Sequence, residues 1–242
     1  MVTSEDSCSF FPGDGVLAFP SISLPSRTPL VQLLKEANVV PSAIFSIYIQ
    51  DFTIEDNFID LESNLELGGF DLNKYSERPG EFFYMPCLNG TVVWRARADL
   101  VSFGTWKSEI YSEFEISTTL RYILGDTNAF FQLLPHLSFM GLDCESDFRE
   151  LSIGCFEREG IELPSLKFFF EDKLIEIPSS AIWRCRNGFC ALLIKFKVAG
   201  YWKLGQVFMA KYFTVYNYEN FTIGFAPALR GSTTDLKAES GV

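Results

Sequence analysis

The chain has a single histidine, His136, which limits the chemistry that its side chains can perform. A serine or cysteine nucleophile needs a neighbouring base and a third group that orients the base. No nucleophile-elbow motif marks such a residue, and His136 lies beside an expected helix end in Leu134-Pro-His-Leu137. We therefore interpret His136 as a surface or helix-cap residue and not as a catalytic base.

Carboxylates and cysteines are the other groups that could bind a metal or react. The acidic residues are spread over stretches such as 51–62 and 143–147, as expected of a solvated face. No Cys-x-x-Cys pair occurs, and the step from Cys185 to Cys190 is a poor zinc spacing in a chain with one histidine. Gly13-Asp-Gly15 lacks the lysine of a phosphate-binding loop. The sequence predicts no metal site and no cofactor.

Composition excludes two classes of partner. The chain has 242 residues, is 48% hydrophobic and carries a net charge of -11, so it has ample core material but repels phosphate backbones. No Lys/Arg stripe reverses that charge along the sequence, so we expect no nucleic acid partner. No apolar run reaches the roughly 20 residues of a membrane helix, and the first eight residues do not form a signal peptide. The triplets at Asn89 and Asn220 are candidate glycosylation sites.

The elements that must position any site are mostly strands. Apolar, β-branched or alternating runs predict strands at 43–49, 81–85, 91–97 and 191–196. Two hairpins are predicted, one from 166–170 and 174–177 and one from 212–216 and 221–225. Helices are predicted from Pro29 to Asn38 and from Thr127 until Pro135 stops the second one. The expected class is a mostly-β protein with short helices, and we find no internal repeat.

Four stretches, in chain order, carry the information on family. They are Asp14-Gly-Val-Leu-Ala-Phe-Pro20-Ser-Ile-Ser23 with Thr28-Pro-Leu30 and Val40-Pro-Ser-Ala-Ile-Phe-Ser-Ile-Tyr48; Leu65-Glu-Leu-Gly68-Gly69-Phe-Asp71; Trp202-Lys-Leu-Gly205-Gln-Val-Phe208-Met-Ala-Lys-Tyr-Phe213-Thr-Val-Tyr216; and Phe221-Thr-Ile-Gly224-Phe225-Ala226. Together they resemble the pepsin and cathepsin D family of aspartic peptidases. The resemblance implies the pepsin-like acid-protease fold, here as the C-terminal lobe plus the tail end of the N-terminal lobe. It divides the chain into a remnant of the N-terminal lobe and inter-lobe sheet (1–75), the C-terminal lobe (76–230) and a flexible tail (231–242).

The resemblance also implies a mechanism that this sequence does not support. The family uses two aspartates, one from each lobe, that share a proton across a water. The resemblance begins at Asp14, past the first Asp-Thr-Gly motif, and residues 1–13 cannot replace a segment of about 100 residues that needs its own sheet. In place of the second motif stands Ser117-Thr118-Thr119, with Ser117 at the aspartate position. A serine hydroxyl does not ionise near neutral pH, so it cannot replace a carboxyl group that gives and takes up the shared proton. A Cβ at Thr119 would in addition crowd a tight turn.

Two other carboxylates could substitute for the missing aspartate. Asp126-Thr127 follows an apolar run, but Asn128 replaces the glycine and a helix follows at once. Glu115 would lie on the same side of a strand as Ser117, two residues earlier. We favour neither, and expect no catalytic residue and no peptide hydrolysis. The alternative is a fragment of an aspartic-type endopeptidase that cleaves peptides when its first lobe is present.

Further expectations follow from the resemblance alone. Gly205 would collide with a crossing strand if it carried a side chain, and Gly68-Gly69 would let the chain turn and pack closely. The family joins a cysteine before the first hairpin to one after it, here Cys155 to Cys190 in preference to Cys185. The resemblance suggests a secreted or lysosomal protein. Residues 15–49 would lose much of their packing partner, so we expect a peptide or protein partner, or self-association through the exposed inter-lobe surface.

Overall fold

Strands dominate the part of the chain that the structure describes. The structure is a computed structural model that describes residues 28–50, 63–89, 93–108, 110–198 and 200–229. The stretch 14–27 of the first family motif and the expected tail 231–242 lie outside these residues. Four sheets, five short α-helices and one 3-10 helix make up the described part, which confirms the mostly-β prediction.

The first sheet combines residues from both ends of the chain. Its strands lie in the order β2-β1-β17-β18-β3, all antiparallel. The bounds are β1 Ile44–Tyr48, β2 Asn64–Leu67, β3 Phe83–Pro86, β17 Tyr212–Asn217 and β18 Thr222–Pro227. The β17–β18 hairpin is the one that the sequence predicts. Strand β1 pairs on both sides, and Phe45 is buried with its ring stacked 4.4 Å from the ring of Tyr216.

The second sheet positions the candidate site and contains both parallel and antiparallel pairs, so we call it the mixed sheet. Its strands lie in the order β15-β8-β16-β7-β4. The bounds are β4 Arg95–Ala98, β7 Ser112–Ile116, β8 Ile123–Asp126, β15 Ile194–Val198 and β16 Tyr201–Leu204. Strand β16 runs parallel to β7 and antiparallel to β8, and it separates these two consecutive strands.

The remaining sheets are four-stranded and antiparallel. One has the order β12-β11-β5-β6 and contains the other predicted hairpin, β11–β12; the other has the order β13-β14-β10-β9. The bounds are β5 Leu100–Phe103, β6 Trp106–Lys107, β9 Asp143–Asp147, β10 Ser152–Phe156, β11 Leu166–Phe170, β12 Lys173–Ile177, β13 Trp183–Arg186 and β14 Phe189–Leu192. The helices are α1 Leu30–Glu36, α2 Leu72–Tyr75, α3 Thr127–Phe139, α4 Ser179–Ile182 and α5 Gln206–Met209, with a 3-10 helix at Pro79–Glu81.

A core of aromatic side chains lies between these sheets. Phe114 on β7 is fully buried, and its ring centroid lies 5.6 Å from that of Phe168, 5.5 Å from that of Phe170 and 6.3 Å from that of Phe225. These rings come from three different sheets. Burying an aromatic side chain of this size is among the largest single contributions to a core. The side chain of Phe114 therefore ties the mixed sheet to its neighbours.

One local prediction was wrong. Pro135 does not end the second helix, because α3 continues to Phe139, with Leu133 and Leu137 buried on either side of the proline. Burial of this helix face compensates for the one backbone hydrogen bond that proline removes. Strand β1 pairs with both β2 and β17. Helix α1 buries one residue of its seven, Val31.

The disulfide pairing differs from the expectation. Cys155 is bonded to Cys144 and Cys190 is bonded to Cys185, so the expected Cys155–Cys190 bridge is corrected. The four cysteines form one row across adjacent strands, because Cys155 is the register partner of both Cys144 and Cys190. In an antiparallel sheet each residue forms a narrow pair with one neighbour and a wide, hydrogen-bonded pair with the other. The bonded cysteines have Cα atoms 3.9 Å apart, so Cys155–Cys190 is the wide pair.

This pairing gives a prediction for peptide mapping. Digestion of the oxidised protein without reduction should yield one linked peptide pair that joins Cys144 to Cys155, and a second disulfide confined to the hairpin that holds Cys185 and Cys190. Mass spectrometry before and after reduction measures both. A peptide that links Cys155 to Cys190 would contradict the pairing, and alkylation of all four thiols would show that neither bond forms. Cys87, buried and unbonded, serves as the internal control for a free thiol.

Candidate functional site

Strand β7 delivers Ser117 to the point where the mixed sheet meets a loop. Ser117 follows the last residue of β7, and its backbone N–H donates to the Leu204 carbonyl of the parallel strand β16, 2.9 Å away. Its Oγ lies 3.1 Å from Thr119 Oγ1, so the two hydroxyls share a hydrogen bond. The turn 117–119 therefore presents hydroxyl groups where the family resemblance places a carboxylate.

The chain closes tightly over Gly205, directly after β16. The backbone N–H of Gln206 donates to the Leu120 carbonyl at 2.7 Å, which holds the 117–122 loop against the start of α5. A Cβ on Gly205 would lie 2.3 Å from the Tyr122 carbonyl oxygen and 2.5 Å from the Leu120 carbonyl oxygen. Both contacts are with backbone, which cannot turn aside as a flexible side chain can. Glycine is required here by space and not by its φ angle, which is -94°.

The other two glycines named by the resemblance differ from each other. Gly68 has a φ of +90°, and a Cβ there would lie 2.6 Å from the Cβ of Val40. Gly69 has open space around it, since the nearest atom to a Cβ would be a Glu66 carboxylate oxygen at 4.0 Å. Gly68 therefore serves the turn and the close packing, and Gly69 meets no steric limit.

The turn at 117–119 tolerates its threonines. Thr118 and Thr119 are exposed, and neither belongs to the described residues that have a positive φ. The expected crowding at Thr119 is therefore not found, because its side chain is exposed and its Oγ1 bonds to Ser117 Oγ. The chemical difference between this turn and the family motif is that residue 117 is a serine and not an aspartate.

Asp126 is far from Ser117 and has a structural role. Its Oδ1 accepts hydrogen bonds from the backbone N–H groups of Asn128 and Gly200, each at 3.1 Å, so it caps helix α3. Strand β8 runs antiparallel to β16, with Leu124 opposite Lys203. Asp126 therefore lies at the opposite end of the mixed sheet from Ser117, about four residues or 13 Å away along the strands. The Asp126-Thr127 pair and the Ser117 turn are therefore not brought together.

Glu115 lies on the same face of β7 as Ser117, but its carboxylate is bound elsewhere. One oxygen lies 3.2 Å from Arg95 Nη2 on β4, and the other lies 3.2 Å from Lys203 Nζ on β16. Strand register places Arg95, Glu115 and Lys203 in one row. Glu115 is buried, so removing it would take away this ion pair of Lys203 and leave Arg95 with Glu113 alone, in a partly buried position. Glu115 is thus a structural ion-pair partner.

The outer face of the mixed sheet carries a group of charged and tyrosine side chains that sequence reasoning missed. All four cations of this face lie over tyrosine rings: Arg95 at 4.2 Å and Lys203 at 5.6 Å over Tyr201, Arg97 at 4.6 Å over Tyr111 and Lys195 at 5.2 Å over Tyr122. We call the outward side chains of this sheet the polar face; its members are Arg95, Arg97, Glu113, Glu115, Tyr122, Leu124, Asp126, Lys195, Tyr201 and Lys203, with Tyr111 beside them. These residues are distant in sequence, so only the strand order brings them together.

Other reactive groups are placed away from this site. His136 lies in the last turn of α3, and its Nδ1 is 3.2 Å from Thr105 Oγ1. This position agrees with the prediction of a surface or helix-cap residue. Burial raises the pKa of the Cys87 thiol to about 12, so almost none of it is thiolate at neutral pH. Glu157, Cys185 and Cys190 come close together, but both sulfurs belong to one disulfide and cannot serve as thiolate ligands.

One surface depression of the described part lies away from this site. An open depression of about 470 Å³ is lined by residues such as Leu142, Glu157 and Ser179, and none of its lining residues comes from the mixed sheet. Among the described residues no helix is long and apolar enough to cross a membrane. The candidate glycosylation residues Asn89 and Asn220 are both exposed.

At Gly205 the chain crosses the loop that joins the consecutive strands β7 and β8. A family model described as "Eukaryotic aspartyl protease" matches residues 2–228. The chain therefore belongs to this family and has the pepsin-like fold, as the four sequence motifs predict.

Individual relatives agree with this assignment. The chain is 27% identical over 227 residues to cathepsin D from Dictyostelium discoideum, covering 90% of this chain and 56% of that protein. It is 26% identical over 230 residues to pepsin-3 from Oryctolagus cuniculus, covering 90% and 55%, and 26% identical over 227 residues to pepsin A from Bos taurus, covering 90% and 57%. The chain thus spans about half the length of the curated relatives it matches.

Proposed function

We propose that this chain is a non-catalytic member of the eukaryotic aspartyl protease family, which binds an extended peptide or protein segment without hydrolysing it. The observation that carries the proposal is the Ser117 hydroxyl at the end of β7, hydrogen-bonded to Thr119, where the family motif has a carboxylate. The mechanism of the family needs two carboxylates that share one proton, and a serine hydroxyl cannot take part in that exchange.

The neighbouring carboxylates do not offer a replacement. Glu115 is held by Arg95 and Lys203, and Asp126 caps helix α3 at the other end of the sheet. Backbone groups of extended segments can still pair with a partner without any catalytic group, because strand addition uses main-chain hydrogen bonds. Binding is therefore the property that this chain can keep. A second copy of the chain is one such partner, and the outer strands β2 and β3 of the first sheet would be its pairing edges.

We also propose a secreted or lysosomal location and glycosylation at Asn89 and Asn220. Two disulfides are typical of an oxidising compartment, and both asparagines are exposed as glycan attachment requires. Treatment of the protein from a secretory host with a glycosidase checks the glycans by the change in mass.

The test of the main proposal is an acid endopeptidase assay. The purified chain should cleave neither denatured haemoglobin nor a quenched fluorescent peptide at any acid pH. The variant Ser117→Asp should remain inactive as well, since Glu115 and Asp126 are bound elsewhere and cannot share its proton. Cathepsin D from Dictyostelium discoideum is the positive control. Cleavage by the wild-type chain that a transition-state analogue of aspartic peptidases blocks would overturn the proposal.

A further inference from the structure

The polar face has an unusual charge distribution for this protein. The whole chain has a net charge of -11, yet this face carries four cations, Arg95, Arg97, Lys195 and Lys203, against the three carboxylates of Glu113, Glu115 and Asp126. An anionic ligand that the rest of the surface repels would therefore be attracted to this face. The attraction is local, because salt screens it beyond about 8–10 Å.

The carboxylates of the polar face already have partners. Arg95 lies 3.4 Å from Glu113 and 3.2 Å from Glu115, and Lys203 lies 3.2 Å from Glu115. Asp126 accepts backbone hydrogen bonds at the start of α3. Arg97 and Lys195, at the two ends of the face, form no ion pair with a carboxylate among the described residues. The positive charge that remains for a ligand is therefore concentrated at Arg97 and Lys195.

Each of these two cations is held in place by a tyrosine ring. The Arg97 guanidinium lies 4.6 Å above Tyr111, and Lys195 Nζ lies 5.2 Å above Tyr122. A guanidinium that lies over a ring still directs its N–H groups outward in one plane, which matches the geometry of a carboxylate. Tyr111 and the neighbouring Ile110 are both exposed, so an apolar surface adjoins the Arg97 end.

The spacing of the two cations fits an extended peptide. Arg97 lies on β4 and Lys195 on β15, with β7, β16 and β8 between them. Four strand spacings of about 4.8 Å, together with the offset along the strands, separate the two positions by about 20 Å. An extended chain covers this distance in about six residues.

We propose that the polar face of the mixed sheet binds an acidic extended peptide, with carboxylates seated at Arg97 and Lys195. The peptide lies across β16 and its apolar side chains contact Tyr201, Tyr111 and Ile110. This inference rests on the proposed function, since it names the class of peptide that the non-catalytic chain would bind. The Ser117 turn lies at one margin of the same face, because Ser117 and Glu115 share one side of β7.

Fluorescence anisotropy with labelled six-residue peptides tests the inference. One peptide has glutamate at both ends and an apolar interior; matched peptides carry glutamine or lysine in place of the two glutamates. The wild-type chain should bind the glutamate peptide at least about tenfold more tightly than either matched peptide, and added salt should weaken this binding. The double variant Arg97→Gln, Lys195→Gln should lose about tenfold in affinity.

The control variant is Arg184→Gln, Arg186→Gln, which removes the same charge from two exposed side chains on β13, outside the polar face. It should bind the glutamate peptide within about twofold of wild type. Equal binding of the three peptides would overturn the inference, as would an equal loss in the control variant. Equally tight binding of an oligonucleotide of the same charge would also overturn it, since it would indicate general anion attraction. Mass spectrometry of the same samples separates the two proposals, because cleavage of the peptide would refute the non-catalytic function and leave the binding result intact.

Discussion

Replacing Gly205 with alanine should lower the free energy of unfolding by about 3–5 kcal/mol or prevent folding altogether. The new Cβ would lie 2.3 Å and 2.5 Å from two carbonyl oxygens, those of Tyr122 and Leu120. Relief requires the 117–122 loop to move, and that movement breaks the hydrogen bond from Gln206 N–H to the Leu120 carbonyl. A domain of this kind has a net stability of only about 5–15 kcal/mol, so the loss is a large fraction of the total.

Urea denaturation followed by tryptophan fluorescence measures the effect. Gly80→Ala is the matched control, because no atom lies within 4 Å of a Cβ at Gly80. It should change the free energy of unfolding by less than about 1 kcal/mol. If Gly205→Ala and Gly80→Ala unfolded at the same urea concentration, the inference that the chain crosses tightly at Gly205 would be wrong.

Replacing Phe114 with alanine should cost about 3–5 kcal/mol, because the ring is fully buried and its removal leaves a cavity among Phe168, Phe170 and Phe225. These three rings belong to other sheets and cannot all move inward to fill the space. The melting temperature should fall by roughly 10 °C in a chain of this size.

Phe139→Ala provides the comparison for the same change of side chain, since Phe139 on helix α3 is 84% exposed. It should alter the melting temperature by no more than about 2 °C. Circular dichroism at a fixed heating rate measures both variants. A smaller shift for Phe114→Ala than for Phe139→Ala would show that the core is not centred on Phe114.

The sequence predicts the parts of this fold that depend on local pattern. The hairpins β11–β12 and β17–β18 follow from apolar alternation around short polar turns, and the family motifs identify Gly205 and the Ser117 turn. Pro135 misled the helix prediction, because the rule that proline ends a helix is local, whereas burial of Leu133 and Leu137 is tertiary.

Features that depend on strand order and register could not be predicted. The pairing of Cys155 follows from the alternation of narrow and wide pairs across β9, β10 and β14, and no sequence spacing reveals which pair is narrow. The polar face joins Arg95 on β4 to Lys195 on β15, about 100 residues away, through three intervening strands. Along the sequence these cations are isolated, so their grouping was not visible.

The position of β16 between β7 and β8 has a consequence for synthesis on the ribosome. Strands β7 and β8 are consecutive and only the 117–122 loop joins them, yet the strand that separates them ends at Leu204, far later in the chain. While the chain is being made, the facing edges of β7 and β8 stay unpaired until residues 201–204 emerge. Such late, long-range pairing is slow and leaves strand edges open to association with other chains. Completion of the mixed sheet therefore waits for a segment near the end of the described chain.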